Sequence, residues 1–338
     1  MKEASLSATR PTMRDVAERA GVSLKTVSRV INAEAGVAAA TAERVGEAIA
    51  ALGFQRNDLA RSLRHGLSSS TLGLVIEDVA NPFYSNVAQA VETAARERGF
   101  LLITASARED PDRERELVSA LVGRRVDALL IVPAGPDQRY AEAMRGRTAF
   151  VYVDRPPGGL EADSVLLDDA GGARTAVEHL LAHGHRRIAC VADRAEVYTA
   201  RERVAGYEAA LTAAGVEVDP ELIRPGSQDA EQAERVVGEL LDLPAERRPT
   251  AIFSANNRNT IGALHALADR DEHVAVVGFD DFELADLLGI TVIRADPGQL
   301  GARAAELAFA RLDGDDRPPQ RVTIATELIE RGSGERRA

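Results

Sequence analysis

The chain has 338 residues and is 45% hydrophobic, enough for a small domain beside one or two larger ones. No run approaches the ~18 to 20 apolar residues that span a membrane. Its net charge of −12 argues against nucleic acid until it is divided: residues 1–66 hold 10 Lys+Arg against 7 Asp+Glu, the remainder 31 against 46. An acidic body is repelled by DNA, so any DNA contact is confined to the basic end.

The N-terminus lacks the apolar centre of a signal peptide, and the expected location is the cytoplasm. The single Cys190, within an apolar run, excludes an internal disulfide and reads as an inert buried thiol.

Residues 2–11 read as a loose tail. Thr12 to Asn32 then reads as two short helices joined at Ala20-Gly21-Val22. Thr12 and Asp15 form a reciprocal cap for the first helix, Gly21 supplies the turn, and Ser23 caps the second. At about 100° per residue, Val27, Val30 and Ile31 fall on one side, where they meet Val16, Ala17 and Ala20. Leu24, Lys25, Ser28, Arg29 and Asn32 fall on the other. Such a helix, braced from behind, suits the major groove of DNA. The alternative is an amphipathic pair with a solvated polar face. A third helix is expected over Thr41–Leu52, with Val45, Ala48, Ile49 and Leu52 inward. Asn57 caps a short helix, Asp58 to Arg64, and Gly66 with Ser68-Ser69-Ser70 reads as a linker.

From Leu72 apolar runs alternate with amphipathic helices. The strand runs are Leu72–Ile76, Leu101–Thr104, Ala128–Val132, Ala149–Val153, Arg187–Ala192, Ala251–Ser254 and Ala275–Gly278. The helices are Tyr84–Arg98, Arg115–Val122, Thr175–His183, Thr199–Ala214, Glu231–Leu241 and Ile261–Ala268. Runs apolar throughout suit parallel strands covered on both faces. The fold class is therefore α/β: an all-α headpiece, then a doubly wound parallel body long enough for two lobes. Such sheets bind ligands at the carboxyl ends of their strands, here the loops at Asn81, Asp154-Arg155, Asn256-Asn257 and Asp280-Asp281.

The segments MRDVAERAGVSLKTVSRVIN, NDLARSLR, LGLVIEDVANPFY, VYVDRPP, HLLAHGHRRIA, RERVAGYEAAL, AIFSANN, VAVVGFDDF and ELIERGS stand in this order. Together they resemble the lactose/galactose repressor family of bacterial transcription regulators over essentially the whole chain. The resemblance implies a headpiece over 1–66 with a hinge helix at 57–64. It also implies a body over 71–338 resembling periplasmic sugar-binding proteins: lobe one is about 71–167 and 297–324, lobe two about 168–296 and 325–338. It further implies a homodimer on pseudo-palindromic operator DNA, controlled by a small effector, most simply a carbohydrate, held between the lobes.

Carried over residue by residue, Leu24, Lys25 and Arg29 match the base-reading positions. Arg29 offers a fork to guanine O6 and N7, and Leu24 only apolar contact. Thr26 and Ser28 suit phosphate, and Asn32 and Asn57 join the DNA-facing set. Leu63 is expected to enter the minor groove as a wedge, the alternative being that it packs with Leu59 in the dimer. Several positions depart from the pattern. Val37 to Ala42 lacks a hydroxyl and a cation that usually meet phosphate, and Arg56 stands where proline is frequent. Asn257 replaces an aspartate, and Arg294-Ala295-Asp296-Pro297 differs beside the cleft, so a relative's effector does not transfer.

In the cleft, Asp280, Asn256 and Arg203 suit sugar hydroxyls as acceptor, amide and cation. Asn81, Phe83, Asp154 and Arg201 are second-rank candidates. For Asp280 the alternative is a carboxylate capping its own turn. The sequence does not rank Arg201 against Arg203. His179, His183 and His185 read as structural rather than as metal ligands, and no cofactor, metal or catalytic residue is expected. Two other functions compete. A transport-type sugar-binding protein is opposed by the absent signal peptide and the basic headpiece. A nucleotide-using α/β enzyme is opposed by the absence of a phosphate loop or Gly-x-Gly-x-x-Gly turn.

Overall fold

The computed structural model describes residues 11–31, 34, 36–54, 69–144, 146, 148–268, 270 and 273–338. It divides into two compact units, Met1–Ser69 and Ser70–Ala338. Asn32, Arg56, Asn57, Leu59 and Leu63, and with them the expected hinge helix, lie outside the described residues.

In the first unit, α1 (Met13–Ala20) opens on a capping box. Thr12 Oγ1 accepts from the Asp15 amide at 3.4 Å, and Asp15 Oδ2 accepts from the Thr12 amide at 2.7 Å. Gly21 closes the helix with φ of 62°, a left-handed position that glycine takes without strain. Ser23 Oγ then accepts from the Thr26 amide at 3.1 Å and starts α2 (Leu24–Ile31). α3 (Ala39–Leu52) begins two residues before the expected Thr41 and has no side-chain cap, because alanine at 38 has no oxygen to offer. Val16, Ala17, Ala20, Val27, Val45 and Ala48 form the buried centre of the unit.

The second unit holds two six-stranded sheets. The first is ordered β11-β5-β4-β3-β1-β2 and contains Thr71–Ile76 (β1), Leu101–Ser106 (β2), Ala128–Ile131 (β3), Ala149–Asp154 (β4), Asp163–Leu167 (β5) and Arg321–Ile324 (β11). The second is ordered β12-β10-β9-β8-β6-β7. It contains Ile188–Val191 (β6), Ile223–Arg224 (β7), Ala251–Ser254 (β8), Ala275–Phe279 (β9), Thr291–Arg294 (β10) and Glu327–Ile329 (β12). All neighbours are parallel except β10 and β12. The chain passes between sheets three times, after β5, after β10 and after β11, so each lobe is assembled from separated stretches.

The helices start earlier than apolar periodicity predicts, and their caps explain why. Asn81-Pro82, Asp110-Pro111 and Asp296-Pro297 each pair a capping side chain with proline in the first turn. The first two begin α4 (Pro82–Glu97) and α5 (Pro111–Gly123), and the third begins α10 (Pro297–Leu312), for which no helix was expected. α6 (Asp169–Ala182) runs through Gly171-Gly172, which propensity disfavours. A Cβ on Gly172 would sit 2.8 Å from Phe279 and 2.9 Å from Ile293, so the helix rests directly on its sheet only with glycine there. α7 (Tyr198–Ala213), α8 (Ala230–Leu241) and α9 (Asn257–Ala268) complete lobe two. The run Leu101–Thr104 is not covered on both faces as expected. β2 is an edge strand, and Leu101 is 64% exposed. Strands β5, β7, β10, β11 and β12 and helix α10 were absent from the periodicity reading, because short strands and a small-residue helix carry little pattern.

Candidate functional site

The strand ends converge on one cavity between the lobes. Lobe one supplies Glu77 after β1, Asp154 at the end of β4, and Asn81, Phe83 and Tyr84 at the start of α4. Lobe two supplies Asp193 after β6, Asn256 after β8, Asp280 after β9, and Arg203 from α7. The free space enclosed is about 50 Å³, the share of one or two waters in the liquid. Ordinary ligand sites measure roughly 300–1,000 Å³, so the lobes must part to admit a ligand.

On the lobe-two wall, Arg203 is buried and bonded through Nε and Nη1. Its Nε donates to Asp169 Oδ1 at 2.7 Å, and its Nη1 to the Ala255 carbonyl at 2.6 Å and to Asp280 Oδ2 at 3.2 Å. The guanidinium lies 3.7 Å from the centre of the Phe279 ring. Burial raises the carboxyls of Asp169 and Asp280 above the usual range, against the pull of Arg203. On the lobe-one wall, Asp154 Oδ2 accepts from the Tyr84 hydroxyl at 2.9 Å. Arg155 grips Glu109 with two bonds, of 2.6 and 2.8 Å, and donates to the Pro133 carbonyl at 2.9 Å. Burial also raises Asp154, opposed by Arg155.

Among the residues that line the cavity, two carboxylate oxygens and the Arg155 Nε remain without hydrogen-bond partners. Asp154 Oδ1 and Asp280 Oδ1 are both buried and accept no hydrogen bond. Their residues are 2% and 6% exposed, and both have φ of 67°, outside the usual range for a side-chain-bearing residue. Glu109, a third cavity residue, has φ of 57°. Strained backbone gathers where strand ends aim side chains at the cavity.

The lobes also bind each other directly at the rim. Arg258 of α9 donates to Asp78 Oδ2 at 2.7 Å and to Glu77 Oε1 at 3.3 Å, while Asn257 Nδ2 donates to Asn81 Oδ1 at 3.0 Å. The aspartate-to-asparagine departure at 257 thus supplies an amide donor across the cleft.

Of the seven effector candidates, Asn81, Phe83, Asp154, Arg203, Asn256 and Asp280 line the cavity. Arg201 does not. Its side chain is 57% exposed, 5.5 Å from the Tyr198 ring, because it faces away from Arg203 on the same helix. Two candidates have structural duties as well: Asn81 caps α4 through the Phe83 amide, and Asn256 accepts from the Asn259 amide at 2.8 Å. Sequence reading passed over Glu77, Tyr84, Glu109, Asp193 and Arg258. Only the strand-end position of Glu77 and Asp193 offered a signal.

Asp281 is drawn off by Arg331 at 2.7 Å, and Asp168 caps α6 through the Gly171 amide at 3.0 Å. His185 bonds Thr250 and the Arg336 carbonyl, and His179 meets Glu335. Among the described residues no cluster has the makings of a metal site. Cys190 is buried, and burial raises its thiol pKa far above the ordinary value.

In the headpiece, Leu24 is 49% exposed and Lys25 is also exposed, while Thr26, Ser28 and Arg29 are partly covered. The Thr26 hydroxyl is 2.9 Å from Ser23 Oγ, within the helix cap. Arg29 Nε lies 3.6 Å from Glu34 Oε2.

Residues 12–57 match the family of bacterial regulatory proteins of the lacI type, and residues 177–334 match a periplasmic binding protein-like domain. The transcriptional regulator CelR of Thermobifida fusca is 35% identical, over 96% of this chain and 98% of its own. The ribose operon repressor of Escherichia coli strain K12 is 32% identical, over 95% and 99%. The chain belongs to the lacI family of bacterial regulatory proteins. It is thus a helix-turn-helix DNA-binding transcription regulator. A lac repressor dimer, solved bound to operator and an anti-inducer, has a TM-score of 0.83 at 27% identity, covering 98% of this chain and all of that one. CelR in complex with cellobiose has a TM-score of 0.70 at 32% identity, covering 96% and 100%.

Proposed function

We propose that this family member acts in the cytoplasm as a homodimeric repressor, binding a pseudo-palindromic operator through the outward face of α2. A small polyhydroxyl effector, of the carbohydrate class, sits between the lobes and sets operator affinity by changing their closure. The observation that carries this reading is the pair of buried, unpartnered carboxylate oxygens, one from each lobe, aimed into one cavity. Such acceptors are costly unless a bound group donates to them. Cellobiose in CelR and the name of the ribose operon repressor support the carbohydrate class.

The test is a mobility shift on DNA upstream of the chain's own gene, repeated with a sugar panel. Retardation that no sugar alters would remove the effector half of the proposal. Arg29→Ala should cost roughly 1–3 kcal/mol per half-site and relax one base pair of the operator. A loss uniform across operator sequences would instead make Arg29 a phosphate contact.

A further inference from the structure

We infer that Glu34 is a positioning residue for DNA recognition, holding the Arg29 guanidinium to a base edge and away from the phosphate backbone. The inference rests on the reading of Arg29 as a base contact and goes beyond it in naming what makes that contact selective.

Residue 34 is tied to residue 29 through both backbone and side chain. The Glu34 amide donates to the Arg29 carbonyl at 2.9 Å, just past the end of α2, so its backbone is fixed by the residue whose side chain it meets. Its carboxylate then returns to that side chain, with Oε2 3.6 Å from Arg29 Nε, an ion pair. Gly36 adds a constraint from the far side of the turn. Its φ is 89°, and a Cβ on it would stand 3.0 Å from Arg29 Nη2. The chain thus runs against the guanidinium where any side chain would crowd it. The turn after α2 converges on one guanidinium.

Off DNA the pair is open to solvent, 37% at Arg29 and 52% at Glu34, so screening leaves it little weight in the stability of the headpiece. Its effect belongs to the complex. A guanidinium has five N–H donors, of which guanine O6 and N7 take two, while phosphates compete for the same group by charge. A carboxylate beside Nε repels phosphate and leaves the uncharged base edge without that penalty. Docking excludes water and strengthens the preference. Residues 1–66 hold only 7 acidic residues against 10 basic ones, so an acid placed beside this arginine works against general attraction to DNA. The headpiece gives up that attraction in return for discrimination between bases.

The experiment uses the intact protein and an operator recovered by selection from random-sequence DNA. Affinities of the parent, Glu34→Gln, Arg29→Ala and the double variant are measured by fluorescence anisotropy. The probes are the operator, each of its single base-pair variants, and unrelated DNA over a series of salt concentrations. Glutamine keeps the shape of Glu34 and removes its charge. Arg29→Ala should lose discrimination at one base pair of each half-site. Glu34→Gln should lose about fivefold of the discrimination at that same base pair, the size of one ion pair, and should bind unrelated DNA more tightly. Its melting temperature should match that of the parent. In the Arg29→Ala background, Glu34→Gln should leave discrimination at every base pair unaltered. A loss spread over all base pairs, an unchanged profile, or the same loss without Arg29 overturns the inference. With Arg29→Ala still selective, each of those results leaves Arg29 standing as the base contact. A uniform loss in Arg29→Ala removes that reading and the inference with it.

Discussion

Lobe one ends β4 on Asp154 and lobe two follows β9 with Asp280, both at φ of 67° and both with one oxygen unpartnered. Their neighbours differ. Asp280 is bonded directly by Arg203, which also holds Asp169 and the Ala255 carbonyl. Asp154 is bonded by a tyrosine, while the adjacent Arg155 spends itself on Glu109. Two sheets of similar design thus treat the same strand-end carboxylate in opposite ways. Lobe two hydrogen-bonds its aspartate to its own cation, whereas lobe one holds its cation 3.7 Å from the aspartate, an ion pair without a hydrogen bond. Arginine braces carboxylates within both lobes, and one oxygen of each strand-end aspartate stays unpartnered.

The largest expected effect tests the scaffold half of that comparison. Arg203→Ala strands two buried carboxylates and should destabilise the body by about 3–5 kcal/mol in urea unfolding. Arg155→Ala, which strands the less enclosed Glu109 and takes from Asp154 an ion pair but no hydrogen bond, should cost less. Equal or negligible losses would mean that the two lobes are not scaffolded differently.

Asp280→Ala acts on the ligand half. It removes bonds of about 1.5–3 kcal/mol each to an effector donor, so binding at working concentrations should vanish from calorimetry. Arg203 keeps Asp169 and the Ala255 carbonyl, so the body should stay folded. The result would be an unresponsive regulator with nearly normal effector-free operator affinity. If operator binding is lost as well, Asp280 has a structural role and the symmetry with Asp154 is accidental.

Tyr84→Phe sharpens the contrast from the lobe-one side. It deletes the one hydrogen bond to the Asp154 side chain among the described residues and should lower stability by about 1–3 kcal/mol. The same change frees Asp154 Oδ2 of its hydroxyl donor, so a sugar hydroxyl that donates to this carboxylate should bind with altered affinity. Calorimetry of an effector sugar on this variant and on the parent protein reads the difference, and equal affinities would show that the ligand does not meet Asp154.

The smallest effect concerns the bonds that join the lobes. Arg258→Ala frees Glu77 and Asp78 of a partly exposed ion pair worth no more than about 1 kcal/mol. Opening the cleft becomes easier by that amount, which corresponds to roughly a fivefold change in effector association. Unchanged association kinetics in stopped flow would show that the rim contacts do not limit entry.

Local chemistry made much of the chain legible. The Thr12–Asp15 box, the Gly21 turn and the Ser23 cap lie within a few residues of their partners, so the headpiece helices followed from spacing alone. The buried strands were equally plain, since a strand covered on both faces must be apolar at successive positions. At the cavity, Asn81, Asn256 and Asp280 were found because parallel strands deliver their carboxyl ends to one place. Where periodicity was weak the reading failed. The two-residue β7 and the edge strand β2 carry little or mixed pattern, and Gly171-Gly172 hid the first turn of α6.

What the sequence by itself determined was the order of parts, the basic helical pair before an acidic α/β body, and which strand ends carry polar groups. Those properties depend on neighbours in the chain. Only the tertiary structure decided between Arg201 and Arg203, two residues apart on α7 and alike in every local respect. One points at Asp169 and Asp280, and the other lies out by the Tyr198 ring. The same holds for Arg155, which reaches Glu109 across 46 residues, and for Arg258, which meets Asp78 across 180. Ion pairing acts over a few ångströms and takes no account of separation along the chain. Which charges neutralise each other is therefore fixed only when the chain has folded.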